Sequence, residues 1–478
     1  MMTVTKGRRR IVIIGGGITG LTATYYLQRA AIAKQLPIDI TLVEASLRLG
    51  GKVHTHRKNG IIVEKGPESF FDRTGSVQQL AQDLHIEDSI VGNHLGPTYV
   101  ALGNELYPVP ESLLAGDAPH ISSFITSRLF SVSGKVRAAG DFVIPRTHLP
   151  VDQPVGPFLR RRFGAEIVEN LVEPLLASVY AGDVEQLSLQ TTFPELYDVE
   201  QKHRSLLLGM RKAQSSLFYG DVPEQAEGIF HTFKNGLETM VEAMEATLKP
   251  GTILKGVRAE AIAYNADKEM TVQLSHKPIM QADDIIIATP YHVAQGLFAD
   301  KQMLQELDDM TAATIATVNM VFKREQFADL KALAFFVSRN SDLTITSCTW
   351  SNLKWPTTAP QDYVVLRSYI GRVGDEAIVE LSDREIEQNV LADLQQTLGV
   401  SGKPLTTIVT RWKDAMPQYT VGHKARIARV EQKLHEVYPN VHLAGSSFKG
   451  ISIPECVAQG QQIAAQLLAP YEQQLSCK

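Results

Sequence analysis

Cysteine is scarce in this chain: Cys348, Cys456 and Cys477 are the only three in 478 residues, far apart and odd in number. They make no disulfide framework, no CxxC pair and no zinc spacing, and a reduced, cytoplasmic compartment is the simplest fit. The 13 histidines show no HExxH or other ligand pattern, so no metal site is expected. His54 and His56 alternate as on a strand and read as a solvated face. Charge of one sign is also missing. With 47 basic and 52 acidic side chains the net charge is −5, which gives no general field for nucleic acid. The short basic runs Arg8-Arg9-Arg10 and Arg160-Arg161-Arg162 read as solvated faces. The mostly apolar stretch from Ile11 to Leu27 is broken by three consecutive glycines and then by threonines, and no small-residue cleavage site closes it, which argues against a signal peptide or membrane anchor. Gly445-Ser446-Ser447 starts like a serine nucleophile elbow, but Lys449 stands where the closing glycine belongs. Repeats, low-complexity segments and an obvious acid–base constellation are absent too. What remains is a globular composition, 44% hydrophobic and 21% charged, in a chain too long for one core. Two or three domains are expected.

The informative residues begin at Ile11. Ile11-Val12-Ile13-Ile14 is a β-branched run suited to a strand buried on both faces. Gly15-Gly16-Gly17-Ile18-Thr19-Gly20 follows and contains G-x-G-x-x-G. Ile18, Leu21 and Tyr25 then fall on one face of a helix. A second strand, Ile40-Thr41-Leu42-Val43, ends on Glu44. Gly15 would make the tight turn, Gly17 would let the backbone approach a pyrophosphate, and Gly20 would allow close helix–strand packing. The helix start points N–H groups and a partial positive charge at the phosphates. Glu44 can accept hydrogen bonds from a ribose diol, and it repels a 2′-phosphate, which disfavours NADP.

Immediately after, Glu44-Ala45-Ser46-Leu47-Arg48-Leu49-Gly50-Gly51-Lys52 supplies a second glycine pair with two flanking cations able to serve a diphosphate. Simple NAD sites do not need this second clamp. The stretch resembles the E-x-x-x-R-x-G-G-[RK] signature of the FAD-dependent group that includes monoamine oxidases, phytoene desaturases and protoporphyrinogen oxidases. The resemblance implies a non-covalent FAD held by Gly15, Gly16, Gly17, Ile18, Thr19, Gly20, Glu44, Ala45, Arg48, Gly51 and Lys52.

Further stretches resemble the oxygen-dependent protoporphyrinogen oxidase family, in particular its Gram-positive coproporphyrinogen III oxidase branch. They are Gly66-Pro67-Glu68-Ser69-Phe70, Glu173-Pro174-Leu175-Leu176-Ala177-Ser178-Val179-Tyr180-Ala181-Gly182-Asp183, Glu200-Gln201-Lys202-His203-Arg204-Ser205 and the run from Arg411 to Tyr419 that contains Trp412. The flavin-linking cysteine and aromatic cage of amine oxidases have no counterpart, and Cys456 reads as structural. The likeness places Gly66, Pro67, Glu68, Ser69 and Trp412 beside the flavin and Val257 near the adenine through backbone contacts. At the C-terminal end the group's usual acidic residue after Gly445 is replaced by Ser446. Contact there is therefore expected from the backbone of Gly445, Ile451, Ser452 and Ile453. The implied reaction is oxidation of coproporphyrinogen III to coproporphyrin III in haem biosynthesis, with dioxygen as acceptor and hydrogen peroxide as product. A protoporphyrinogen IX oxidase, another amine oxidase-like flavoenzyme and a non-catalytic FAD-binding sensor stay open as alternatives.

The expected architecture is α/β: a discontinuous Rossmann-like FAD domain (residues 7–65, 225–290 and 425–478), a mixed-sheet substrate domain (66–90 and 291–424) and a mainly helical domain (91–224). In the helical region Ile121, Phe124, Ile125 and Leu129 form an apolar stripe that reads as core packing, while relatives that sit on membranes with this region leave a peripheral membrane contact open. Contact with later haem-pathway enzymes is open as well. A carboxylated tetrapyrrole needs local cations, and Arg73 is the first candidate, with Thr74 beside it where relatives can carry a second basic residue. Arg367 and Tyr369 follow.

Overall fold

The computed structural model describes residues 8–103, 105–110, 124, 126–147, 151–213, 215–216, 220–221, 228–327 and 332–476. The apolar run at the start forms the strand Arg9–Ile14, the centre of a five-stranded parallel sheet. Ile38–Glu44 and then Ile253–Lys255 lie on one side of it, and Asp284–Ile287 and Val441–Leu443 on the other. Ile11 and Ile13 are buried in one core and Val12 and Ile14 in another, as a strand covered on both faces requires. Strands from three distant parts of the chain thus build one sheet. Ile14 is level with Val43 and Ile287, and Ile287 with Leu443, so the carboxyl ends line up along one edge. In open parallel sheets that edge carries the ligand crevice. The helices Ile18–Ala33 and Ile453–Ser476 pack on one another over one face of the sheet. A small antiparallel sheet of Ala259–Tyr264, Met270–Leu274 and Met280–Ala282 packs with the other face.

The second large unit is a seven-stranded mixed sheet. Its order is Thr406–Pro417, Ala312–Lys323, Tyr363–Ile370, Ile345–Trp350, Ala334–Val337, Thr98–Leu102 and Glu105–Pro108. All neighbours are antiparallel except Ala334–Val337 with Thr98–Leu102. The last two strands fall within residues 91–224, the region expected to be mainly helical. Val100 and Ala101 are fully buried, and pairing at the sheet edge outweighs the helical character of the region that follows. From Val132 to Ala213 most of the described residues are helical, including a π-helical turn at Val168–Val172 directly before the helix Glu173–Tyr180. Of the stripe expected at Ile121, Phe124, Ile125 and Leu129, Ile121 and Ile125 lie outside the described residues, while Leu129 is buried and Phe124 packs half-buried on the same cluster.

Each basic run is a solvated face only in part, with Arg8 and Arg161 exposed. Arg8, Arg9 and Arg10 pair with Asp39, Asp284 and Asp283, tying the first strand to its neighbours. Arg162 is fully buried between Asp141 and Glu200, a counter-charge pair that lies distant in sequence and so leaves no local signal.

Candidate flavin site

Two glycine turns meet at the carboxyl edge of the parallel sheet. Gly15 has φ +109°, and a Cβ there would stand 2.7 Å from the Ala288 carbonyl oxygen; a Cβ on Gly20 would overlap the Gly15 carbonyl. Only glycine lets strand and helix approach this closely. Gly17 has open space where a side chain would stand. It is the N-cap of the helix Ile18–Ala33, makes no side-chain capping bond, and is followed by no acidic residue in the first turn. The helix start therefore offers unfilled N–H donors to an anion. Gly17 bridges to Gly50, and the Gly50 N–H donates to the Gly16 carbonyl at 2.8 Å, which brings the second glycine pair onto the first.

Glu44 fixes this junction. Its carboxylate accepts the Gly16 N–H at 2.6 Å and the Ser46 N–H at 2.8 Å. A carboxylate has about four acceptor positions, so two remain for a diol. Ala45 lies exposed between the two bonded segments. The two cations do not stand free for a diphosphate as the sequence suggests. Arg48 donates to the carbonyls of Leu49, Val53 and Gly51, and it braces its own loop. Lys52 reaches Ser446 Oγ at 3.2 Å, linking the N-terminal loop to the C-terminal turn; burial pushes its pKa down. The Val257 N–H is taken by the Glu44 carbonyl at 3.0 Å, so this amide is not available to a base.

The Gly66–Ser69 loop rests on the seven-stranded sheet. A Cβ on Gly66 would overlap the Lys52 carbonyl, which fixes the loop against the second glycine turn. Thr317 Oγ1 and Trp412 Nε1 both donate to the Lys65 carbonyl, at 2.7 and 2.8 Å, and Asn319 Nδ2 donates to the Glu64 carbonyl at 3.3 Å. Arg367 is 1% exposed and donates to the Gly66 carbonyl, with Nη1 3.5 Å from Glu68 Oε2 and the guanidinium 4.4 Å from the centre of the Tyr369 ring. Lys354 Nζ donates to Glu68 Oε1 at 2.6 Å and lies over the rings of Phe230 and Trp355. Burial alone would push the Glu68 carboxyl up, but Lys354 and Arg367 outweigh it and hold it below the usual carboxylate range. Glu64 has no such cation in contact, and burial takes it up to about 7.

These contacts change the meaning of three candidates. Glu68 faces inward to two cations, with its backbone left to face a cofactor. Arg367 is covered by the loop, which stands between its guanidinium and a substrate carboxylate, and its buried Nε has no hydrogen-bond partner. Arg73 is half exposed and pairs with Glu195 at 2.8 Å, while Thr74 bonds Ser76 and Asp72 within its own turn.

The C-terminal turn closes the site. Gly445 has φ +106° and its N–H donates to Gln459 Oε1 at 2.9 Å. Tyr419, which the sequence places only within a resembling stretch, turns out to organise this segment. Its hydroxyl donates to the Ser446 carbonyl at 2.7 Å and accepts the Gly450 N–H at 2.8 Å. Ser452 and Glu455 form a reciprocal cap at the start of the last helix, with Ser452 exposed, Ile451 half-buried and Ile453 buried. His423 stacks on Tyr419 with centroids 4.0 Å apart, and its Nε2 meets the Phe448 carbonyl at 2.9 Å. Burial lowers its pKa to about 4.

The residues fit a dinucleotide. The helix start is uncapped, the space over Gly17 is open, and the buried Thr289 Oγ1 and Gln459 Nε2 lack hydrogen-bond partners. Comparison with known proteins agrees: residues 18–468 match the model of the flavin containing amine oxidoreductases.

The chain belongs to that family.

Within the flavin containing amine oxidoreductases it is similar over nearly its whole length to the coproporphyrinogen III oxidase of Bacillus subtilis (strain 168), 42% identical over 97% of this chain and 99% of that one. The coproporphyrinogen III oxidase of Staphylococcus aureus is 35% identical over 96% of this chain and 99% of its own. Protoporphyrinogen oxidase 1 of Arabidopsis thaliana is more distant, 27% identical over 95% of this chain and 87% of its own. Among solved structures, one from Exiguobacterium sp. 255-15, described as a candidate protoporphyrinogen oxidase, superposes with a TM-score of 0.87 at 33% identity, covering 97% of this chain and 99% of that one. Among the described residues no cluster could hold a metal ion, and no helix is long and apolar enough to cross a membrane.

Proposed function

We propose that this flavin oxidoreductase binds FAD non-covalently and oxidises coproporphyrinogen III to coproporphyrin III. The observation that carries the cofactor is the uncapped helix start at Gly17, joined by Gly50 and by Glu44 into one crevice at the carboxyl edge of the sheet. The substrate is suggested by full-length similarity to two coproporphyrinogen III oxidases. When bound, FAD supplies acceptance of two electrons at a time from the bridging carbons and reoxidation by dioxygen. Six electrons and six protons leave each porphyrinogen, and three dioxygen molecules become three of hydrogen peroxide.

The chain's own residues bind, orient and exclude water. The Gly15–Gly20 turn would hold the pyrophosphate, and Glu44 the ribose diol. The Gly66–Ser69 backbone, backed by Trp412, and the backbone of Gly445 and Ile451–Ile453 would flank the ring. Tyr419 holds the C-terminal turn at Ser446 and Gly450 through its hydroxyl, and burial keeps that hydroxyl protonated far above neutral pH. Arg73 would meet a substrate carboxylate only by exchanging it for Glu195. A peripheral membrane contact is supported by Val132, Val136 and Val143, which are exposed on the helical region. The second reading, protoporphyrinogen IX as main substrate, is favoured by the similarity to the Exiguobacterium protein.

The test uses purified protein with coproporphyrinogen III in air. Porphyrin fluorescence should rise with three peroxides formed per porphyrin, and acid precipitation should leave yellow FAD in the supernatant. Colour retained in the pellet would refute non-covalent binding, and absence of flavin-dependent turnover would refute the activity.

A further inference from the structure

A substrate carrying carboxylates needs cations that it can reach with donors to spare. Arg367 donates to Gly66 and lies sealed beneath the Gly66–Ser69 loop, Lys354 is on Glu68, and Arg73 is on Glu195. A different pair of guanidinia lies where the helical region meets the mixed sheet. Arg372 follows the strand Tyr363–Ile370 by two residues, and the Val373 N–H donates to the Ala181 carbonyl at 2.9 Å. Its backbone is thus pinned to the end of the helix Glu173–Tyr180, and its side chain runs back to the start of that helix.

There the pairing is incomplete. Arg372 Nη1 is 3.8 Å from Glu173 Oε1 and Nε is 3.9 Å from Asp375 Oδ2, both too long for hydrogen bonds. Arg372 is only 8% exposed, and its Nε and Nη1 are buried without a hydrogen-bond partner. Glu173 Oε1 is taken by Arg339 Nε, and its Oε2 has no hydrogen-bond partner. Two guanidinia therefore share one buried carboxylate, with Asp375 out on the exposed rim. Burial and the neighbouring Arg339 push the Arg372 pKa down, as an under-compensated cation requires. Unfilled buried donors are destabilising and call for a missing acceptor. The π-helical turn Val168–Val172 that presents Glu173 is a device frequent at functional sites.

The cluster also connects to the flavin loop. Tyr369, Val373, Ala181 and Trp412 pack together, and Trp412 bonds the Lys65 carbonyl beside Gly66. The chain turns at Gly371, φ +84°, so Arg372 lies no farther from Tyr369 than the roughly 10 Å that three extended residues span; a macrocycle lying against Tyr369 would bring a propionate arm within reach. Arg339 is 38% exposed, so the cluster opens to solvent on that side.

We propose that Arg372, with Arg339 beside it, binds a carboxylate of the substrate at the outer end of the substrate site. The proposal rests on the porphyrinogen reading above. Its ligand is a propionate, taken on the Nε–Nη1 edge of Arg372 and completing the charge balance that Glu173 leaves unfinished.

The test is binding of coproporphyrin III and of its tetramethyl ester to FAD-loaded protein in the same detergent buffer, followed by porphyrin fluorescence. Arg372→Gln should weaken binding of the acid ten-fold or more and leave the ester within two-fold, with Arg372→Lys recovering part of the loss. A structural role would weaken both ligands alike. If Arg372→Gln fails to retain FAD, Arg339→Gln serves instead, with a three-fold or greater loss expected for the acid alone. Wild-type binding with equal losses for acid and ester, or with none, overturns the carboxylate site only. Wild-type protein that binds neither porphyrin overturns the site together with the porphyrinogen reading.

Discussion

Glu68 is the counter-ion of two buried cations, and removing it should destabilise the flavin loop more than removing either cation. The carboxylate lies 2.6 Å from Lys354 Nζ and 3.5 Å from Arg367 Nη1, with side-chain exposures of 10%, 17% and 1%. At an effective dielectric near 20 the shorter contact is worth about 6 kcal/mol gross, most of it offset by desolvation. Breaking such a pair from one side costs about 3–5 kcal/mol, because the remaining charge stays buried. Glu68→Gln should therefore cost about that much. Lys354→Met should cost less, since Arg367 still neutralises the acid. The double variant should recover at least 1.5 kcal/mol relative to the sum of the singles, roughly the low end for close charge pairs. All three tryptophans of the chain lie in this neighbourhood: Trp355 is under Lys354, Trp412 is on Lys65 and Trp350 is buried in the adjoining strand. Urea unfolding followed by tryptophan fluorescence thus reports the relevant transition. The sign with pH is fixed by the depressed carboxyl. Its contribution is fully present above the unfolded value of about 4.3 and is lost as pH falls through the folded one, so the gap between wild type and Glu68→Gln should narrow on acidification. Additive single-variant effects, or a cost below about 0.5 kcal/mol for Glu68→Gln, the range of an ordinary surface change, would refute the reasoning.

Three further outcomes follow from the site. Gly20→Ala should abolish FAD retention on gel filtration, since the new methyl overlaps the Gly15 carbonyl, and a yellow holoenzyme would count against the close turn. Glu44→Ala should weaken FAD binding ten-fold or more through loss of charge-assisted bonds worth about 1.5–3 kcal/mol each, measured by titrating apoprotein. His423→Gln should flatten the pH dependence of stability between about 4 and 6.5. The folded imidazole stays neutral across that window while the unfolded one takes up a proton, so wild-type stability falls as pH drops, by on the order of 3 kcal/mol in all; parallel wild-type and variant curves would contradict it.

The parts of the fold legible in the sequence are those whose physics is local. The Ile11–Ile14 strand, the Gly15–Gly20 turn and the terminal Glu44 announce themselves within some thirty residues, and the structure places them as one crevice. Long-range pairing leaves no such trace. Glu68 meets Lys354 286 residues away, and nothing beside Lys354 marks it except the flanking tryptophans. Arg48 and Lys52 flank the second glycine turn in sequence, yet their partners are loop carbonyls and Ser446, which spacing could not reveal. The strands at Thr98–Leu102 and Glu105–Pro108 are too short for periodicity to separate them from the helical stretch that follows, and only the sheet edge at Ala334–Val337 decides them. Arg367 is a candidate substrate cation by its charge; its burial beneath the Gly66–Ser69 loop is a tertiary fact.

The central claim is that the bound flavin takes electrons from a four-carboxylate porphyrinogen. Anaerobic stopped-flow mixing of the holoenzyme with coproporphyrinogen III should bleach the flavin absorbance, faster at low salt than the same concentration of protoporphyrinogen IX. The difference should shrink as salt screens the carboxylates. Bleaching by amines, with no bleaching by either porphyrinogen, would contradict the account.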